Sequence, residues 1–181
     1  MKILGGKFKG RSLKSAGPAT RPTQAIMRGA FFNICQHYIE GAHFLDCFAG
    51  SGAMGFEALS RGASRVTFIE QDKVALQALR QNIALLHVEA QVELLPYKAE
   101  RALAQLEESF SLIYLDPPYA LPVLPYIEQI LRRYLLKEGG FLFIEKSSIK
   151  EEPPIQGLKL ISRRTFGAAA LEQYQFLSQK I

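Results

Sequence analysis

The run Asp116-Pro117-Pro118-Tyr119 places a carboxylate, two rigid residues and an aromatic ring directly after the apolar segment Leu112-Ile113-Tyr114-Leu115. A residue before proline is pushed toward extended geometry, and each proline fixes its own φ and lacks an N–H. The loop is therefore stiff and exposes carbonyl oxygens. The Asp116 carboxylate and the Pro117 carbonyl can then accept both N–H groups of one amine, while Tyr119 stacks on a flat ring and Pro118 shapes the slot. An Asp-Pro pair alone is commonly a strand ending in a turn. The full tetrapeptide after a buried strand is a much sharper pattern, suited to holding an amine-bearing base.

A second cluster lies upstream, at Asp46-Cys47-Phe48-Ala49-Gly50-Ser51-Gly52-Ala53-Met54-Gly55. The segment His43-Phe44-Leu45 reads as a strand and Met54 to Leu59 as a helix. Glycines permit positive φ and close backbone approach, and a helix N-terminus favours an anionic ligand group. Glu70 closes the next apolar run, Arg65 to Ile69, and stands 20 residues after Gly50, where an acid would take ribose hydroxyls. Gln71 follows it. Together with Phe48, Ala49 and Ser51, these residues describe a nucleoside cofactor site.

The type of cofactor follows from what surrounds the glycines. A dinucleotide loop usually runs from an apolar strand straight into its first glycine, whereas Asp46 stands four positions before Gly50. An acid there suits a ligand with an α-ammonium group. The three histidines, His37, His43 and His87, are scattered and form no hydride-transfer constellation. Asp116 closes a strand expected beside the first one, across the crevice where ligands of open α/β sheets bind. These features favour S-adenosylmethionine, with S-adenosylhomocysteine as product, over a nicotinamide dinucleotide.

On these residues the chain resembles the amino-methylating S-adenosylmethionine enzymes, and more narrowly the bacterial 16S rRNA (guanine-N2)-methyltransferases, the small-subunit ribosomal RNA methyltransferase D family. The family's opening pattern is matched by Gly5-Gly6-Lys7-Phe8-Lys9-Gly10-Arg11, by Arg21-Pro22-Thr23 and Arg28, and by Phe32-Asn33. Its closing pattern is echoed by Gly139-Gly140-Phe141, Glu145 and Thr165-Phe166-Gly167. The sequence departs from the family at Gly29, where a Glu is usual, and at Lys98-Ala99, which replaces an Asp-Ala pair that contacts adenine. The resemblance implies a Rossmann-like class I methyltransferase with a mostly parallel seven-stranded sheet. It also implies methyl transfer to the exocyclic N2 of a guanine, with ribosomal RNA in an assembling 30S subunit as partner. DNA adenine-N6 methylation is the alternative within the enzyme class, and a non-catalytic nucleic-acid-binding or dinucleotide-sensing module the alternative outside it.

Charge is distributed unevenly. The first 39 residues hold Lys2, Lys7, Lys9, Arg11, Lys14, Arg21 and Arg28 with no acid, while the remainder carries 15 basic and 17 acidic residues. The whole excess behind the net charge of +5 therefore sits at one end. The basic residues alternate with Ile3, Phe8 and Leu13 and are broken by glycines, which predicts an ordered β-hairpin rather than a solvated tail. Such a ribbon suits a phosphate backbone, and Lys7, Lys9, Arg11, Arg21, Arg28 and Pro118 are the expected RNA contacts.

Thr23 is a plausible N-cap for a helix over Gln24 to Ile39, with Met27, Phe31, Ile34, Cys35 and Tyr38 at helical spacing. The body alternates strands near 43–48, 65–70, 91–95, 110–115 and 140–146 with helices near 53–60, 72–86, 100–108 and 123–136. That rhythm predicts a parallel α/β sheet. Leu158 to Arg164 and Leu171 to Leu177, joined by Gly167 to Ala170, predict a terminal antiparallel hairpin. Residues 1–40 are thus expected to form a basic arm with its docking helix, and 41–181 the methyltransferase body, within one domain.

A length of 181 residues at 48% hydrophobic content is enough for one ordinary core. No apolar run is long enough to span a membrane, and the first residues lack the apolar core of a signal peptide. Cys35 and Cys47 in apolar settings point to a reducing cytoplasm. The Cys and His spacings match no metal-ligand set, so no metal is expected.

Overall fold

A computed structural model describes residues 1–17, 22–149 and 154–176. The elements follow one another as α1 (Pro22–Cys35), β1 (His43–Cys47), α2 (Ala53–Ser60), β2 (Arg65–Ile69), α3 (Lys73–Leu86), β3 (Val92–Leu95), α4 (Ala99–Gln105), β4 (Phe110–Leu115), α5 (Leu124–Arg132), β5 (Leu136–Ser147), β6 (Leu158–Phe166) and β7 (Ala169–Phe176). The strands form one sheet of seven in the order β3-β2-β1-β4-β5-β7-β6. β1 to β5 pair in parallel, and β7 lies antiparallel between β5 and β6. The strand order reverses between β1 and β4, the position at which open α/β sheets bind ligands outside the carboxyl ends of their strands.

Successive residues of a strand face opposite sides, so the apolar runs in the central strands feed two cores. Phe44, Leu112, Tyr114, Phe141 and Phe143 face α1 and α2, where they meet Met27, Phe31, Phe56 and Leu59. Leu45, Cys47, Ile113, Leu115, Leu142 and Ile144 face α4 and α5, against Ala102, Leu103, Ile127 and Ile130. Phe31 is the centre of the first core. Its fully buried ring meets Phe44, Tyr114 and Phe143 edge-on at centroid distances of 5.9, 5.3 and 4.6 Å.

Several boundaries differ from expectation. The first helix begins at Pro22, a residue well suited to a first turn, so Thr23 lies inside it and is not its cap. It also ends at Cys35, because the chain turns back there with Tyr38 and Ile39 N–H groups both donating to the Cys35 carbonyl. Tyr38 is left half exposed against Phe141. β5 starts four residues early, at Leu136, by absorbing Glu138-Gly139-Gly140 into a register shift against β4. The last hairpin turns on Gly167-Ala168 alone, and Ala169 and Ala170 already belong to β7.

The arm is ordered but is not a regular β-hairpin. A single antiparallel bridge joins Lys2 to Ser12, supported by Ile3 N–H to Arg11 O at 3.0 Å and Leu13 N–H to Met1 O at 2.7 Å. Between them the chain closes through short turns, with Lys9 N–H donating to Gly6 O and Arg11 N–H to Phe8 O. Ile3 and Leu13 are buried in the first core. The rest is pinned to the end of α2, where Leu4 N–H donates to Glu57 Oε2 at 2.7 Å, Phe8 N–H to Ser60 Oγ at 2.9 Å and Lys7 N–H to Ser60 O at 2.7 Å. Among the described residues no helix is long and apolar enough to cross a membrane.

Candidate active site

The loop after β1 is built to bring backbone N–H groups to the crevice. Asp46, 2% exposed, accepts from Gly55 N–H at 2.9 Å in the first turn of α2, which fixes the loop across its base. Gly52, at φ +84°, stands at the start of that helix, a conformation L side chains rarely adopt. A Cβ on Gly55 would sit 2.2 Å from the Phe68 ring, so only glycine lets α2 lie this close to β2. Gly52 and Gly55 are accordingly buried, and they shape the loop from beneath.

Glu70 is oriented by three backbone donors: Gly50 N–H on Oε2 at 2.7 Å, and Gln71 and Asp72 N–H on Oε1 at 2.7 and 2.8 Å. A carboxylate oxygen can accept more than one bond. This anchored group therefore keeps capacity for a diol at the crevice.

The parallel register assembles the remainder. Asp46 lies opposite Tyr114, and Leu115 opposite Ile144, so Asp46, Tyr114, Asp116 and Glu145 emerge on one side of the sheet at the carboxyl ends of β1, β4 and β5. The Tyr114 hydroxyl donates to Glu145 Oε2 at 2.6 Å. Burial pushes the Asp46 carboxyl up to about 7, with the Gly55 bond opposing and the Glu70 charge adding to the rise. Asp116 is raised well above the usual carboxylate range, by burial first and then by Glu145 and Asp46. Glu145 is raised by burial, against the bond from Tyr114. Burial and the neighbouring acids likewise raise Tyr114. Acids in this state favour any ligand that carries positive charge.

Two joined compartments, of about 250 and 520 Å³, share Gln24, Phe48, Asp116 and Glu145 as walls. The smaller is lined by Asp46 and by Phe48, Ala49, Gly50 and Ser51 of the loop, with Ser15 to Gly17 of the arm and Met1. The larger is lined by Glu70, Gln71, Asp72, Pro117, Pro118 and Tyr119. Pro117 is buried, Pro118 exposed, and Tyr119 53% exposed at the mouth. The expected cofactor and base-holding residues thus converge on one crevice. Lys98 is exposed and Ala99 buried at the start of α4.

The basic residues divide. Lys7, Lys9 and Arg11 are exposed on the arm. Arg21 lies outside the described residues. Arg28 stands corrected as a surface contact: it is 4% exposed, 3.8 Å from the buried Glu57, and donates to Lys2 O at 3.0 Å. Its guanidinium holds the arm to α2.

Sequence reasoning gave no role to Tyr114, Gln24 or Asn82 and used Glu145 only as a pattern residue. Asn82 is fully buried. Its amide accepts from Lys14 N–H at 2.8 Å and donates to Lys14 O and Ser51 O, both at 3.0 Å, tying the arm to the glycine loop. Only the register of adjacent strands could have singled out Glu145.

The family model described as "Conserved hypothetical protein 95" matches residues 1–175. The Ribosomal RNA small subunit methyltransferase D of Escherichia coli strain K12 is 35% identical over 162 residues, spanning 89% of this chain and 79% of that protein. The Haemophilus influenzae protein of the same name is 31% identical over 180 residues, spanning 97% and 93%. Among solved structures, "Putative methyltransferase yhhF from Escherichia coli" superposes with a TM-score of 0.90 at 31% identity over 99% of both chains. The fold also extends to SMU.776, solved with SAH bound, at a TM-score of 0.71 and 14% identity over 92% of this chain and 52% of that one.

Proposed function

This chain belongs to the family described as Conserved hypothetical protein 95 and has relatives in Escherichia coli and Haemophilus influenzae named Ribosomal RNA small subunit methyltransferase D, and from that premise we propose that it methylates a guanine of small-subunit ribosomal RNA at N2 with S-adenosylmethionine. The observation that carries the reading is the alignment of Asp46, Asp116 and Glu145 along one sheet edge, facing the glycine loop and capped by the Asp-Pro-Pro-Tyr turn. A crevice with this many acids is complementary to a sulfonium and an ammonium. It is a poor site for the pyrophosphate of a dinucleotide.

Asp46 and the Phe48–Ser51 loop would hold the amino-acid end of the cofactor, and Glu70 its ribose hydroxyls. The cofactor supplies a methyl group on sulfonium: as the N2 lone pair forms the new C–N bond, the C–S electron pair stays with sulfur and the positive charge passes to nitrogen. An aryl amine is a weak nucleophile because its lone pair is delocalised into the ring. Asp116 and the Pro117 carbonyl, accepting the two N2 hydrogens, turn that lone pair toward the methyl group and stabilise the charge developing on nitrogen. Holding both reactants aligned contributes much of the rest. The extra proton on N2 then passes to the Asp116 carboxylate that already accepts its N–H. Tyr119 at the mouth would stack on a base that is unpaired or flipped out, while Lys7, Lys9 and Arg11 hold the phosphates beside it. The RNA of an assembling 30S particle, in the cytoplasm, is the substrate this arrangement suits.

Labelled methyl groups from S-adenosylmethionine, offered with naked 16S ribosomal RNA, 30S particles and DNA and followed by nucleoside analysis, test the reading. The expected product is N2-methylguanosine in the ribosomal fractions. Label recovered as N6-methyladenine in DNA would overturn it.

A further inference from the structure

Glu145 occupies a position that the transfer described above does not use. Leu115 and Ile144 are register partners on parallel strands, so the next residues, Asp116 and Glu145, stand side by side about one interstrand spacing apart, ~4.8 Å. Both line the two crevice compartments. Glu145 is 9% exposed, and its Oε2 is occupied by the Tyr114 hydroxyl, whose ring is clamped edge-on against Phe31 at 5.3 Å. Among the described residues Tyr114 is the donor that Glu145 has, which leaves Oε1 as an acceptor beside the Asp-Pro-Pro-Tyr turn. A carboxylate held by a rigid donor on one oxygen is preorganised to read a second donor with the other.

Two adjacent carboxylates match one face of one base. The Watson–Crick edge of guanine presents N1–H and the N2 amine as neighbouring donors. Adenine presents an acceptor at N1 beside its amine. 2-Aminopurine keeps the 2-amino group of guanine but has an acceptor at N1. We propose that Glu145 is a specificity-determining residue that accepts N1–H of the target guanine through Oε1, while Asp116 and the Pro117 carbonyl hold the N2 amine. The assignment rests on the guanine-N2 reading and extends it to how the base is chosen. With adenine or 2-aminopurine the carboxylate faces a ring acceptor, and two buried acceptors are left without a proton between them. Sites built to pair with a donor reject analogues lacking it far more strongly than apolar pockets reject a misfit.

The test begins by locating the guanine that wild-type enzyme methylates in 16S ribosomal RNA. RNAs with guanine or 2-aminopurine at that position are then compared for wild type, Glu145→Gln and Glu145→Ala. Wild type is expected to prefer guanine by about 10³-fold or more in kcat/KM. Glu145→Gln, whose amide can donate to a ring acceptor, should shrink that preference by at least about tenfold while melting within about 3 °C of wild type. Equal use of both bases by wild type, or an unchanged preference in both folded variants, overturns the inference and leaves the proposed reaction standing. If wild type methylates no guanine at N2, the reaction itself fails and the inference falls with it.

Discussion

The two faces of β5 handle charge in opposite ways. On one, Glu145 joins Asp46 and Asp116, with a tyrosine hydroxyl as its donor. On the other, its neighbour Lys146 lies 3.0 Å from Glu172, each 3% exposed, and Glu172 also accepts from the Tyr174 hydroxyl at 2.7 Å and sits 3.6 Å from Arg163. The Lys146 contact is close but off the hydrogen-bond direction, so its worth is coulombic. The paired face also borders a cavity of about 640 Å³ between α5 and the β5–β7 ladder. A sizeable cavity alone is therefore a poor guide here. Charge left uncompensated marks where a ligand belongs, whereas charge matched within the protein marks architecture.

That contrast can be broken experimentally, first on its structural side. Lys146→Met leaves the buried Glu172 with the more exposed Arg163 as its remaining counter-charge and should lower unfolding free energy by up to about 3–5 kcal/mol in urea titrations. The double change Lys146→Met with Glu172→Leu should recover most of it. A nearly neutral single variant would show that the pair is not structural.

Asp116→Ala should do the reverse. Its kcat is expected to fall at least about 10²-fold, the scale for losing one charge-stabilising group, while the melting temperature holds or rises because a carboxyl shielded from water beside two other acids has gone. Near-normal turnover would remove Asp116 from the chemistry.

A smaller effect separates the faces by pH. The Asp46 carboxyl lies near 7 in the fold, above its ordinary 3.8. The folded state therefore binds the extra proton, and its stability falls as pH climbs from about 4 to about 7. A cationic ligand favours the ionised form. S-adenosylhomocysteine, through its ammonium group, should bind more weakly below pH 7 by up to about tenfold per unit, with proton release detectable by calorimetry in two buffers. Affinity that is flat from about pH 5.5 to 7.5 would mean that Asp46 does not face the ammonium.

The exposed arm gives the mildest test. Lys7, Lys9 and Arg11 changed together to Ala should flatten the dependence of log RNA affinity on log salt by about two units if each meets a phosphate. An unchanged slope would move RNA binding elsewhere on the surface.

The parts of this site that were legible in the sequence are those written locally. The glycine loop, the acid at Glu70 and the Asp-Pro-Pro-Tyr turn each combine residues within a few positions, and the alternation of apolar runs predicted the sheet and its terminal hairpin. What escaped was set by pairings across distance. Arg28 read as a surface cation because nothing near it announces Glu57, 29 residues on and fully buried. Glu145 read as a strand residue until the β4–β5 register set it beside Asp116. The early start of β5 was hidden because Glu138-Gly139-Gly140 has turn composition, and only pairing with β4 draws it into the sheet.

The attachment of the arm has a consequence for how the protein is made. Leu4 and Phe8 find their partners on Glu57 and Ser60, 53 and 52 residues away, and Lys14 finds Asn82, 68 residues away. Contacts of such separation are rewarded only after the intervening loop has closed. The arm, which precedes both helices in the chain, therefore gains its anchors only once α2 and α3 have packed. Glu57, which takes Leu4, Arg28 and Arg61 at once, is the residue on which that closure turns.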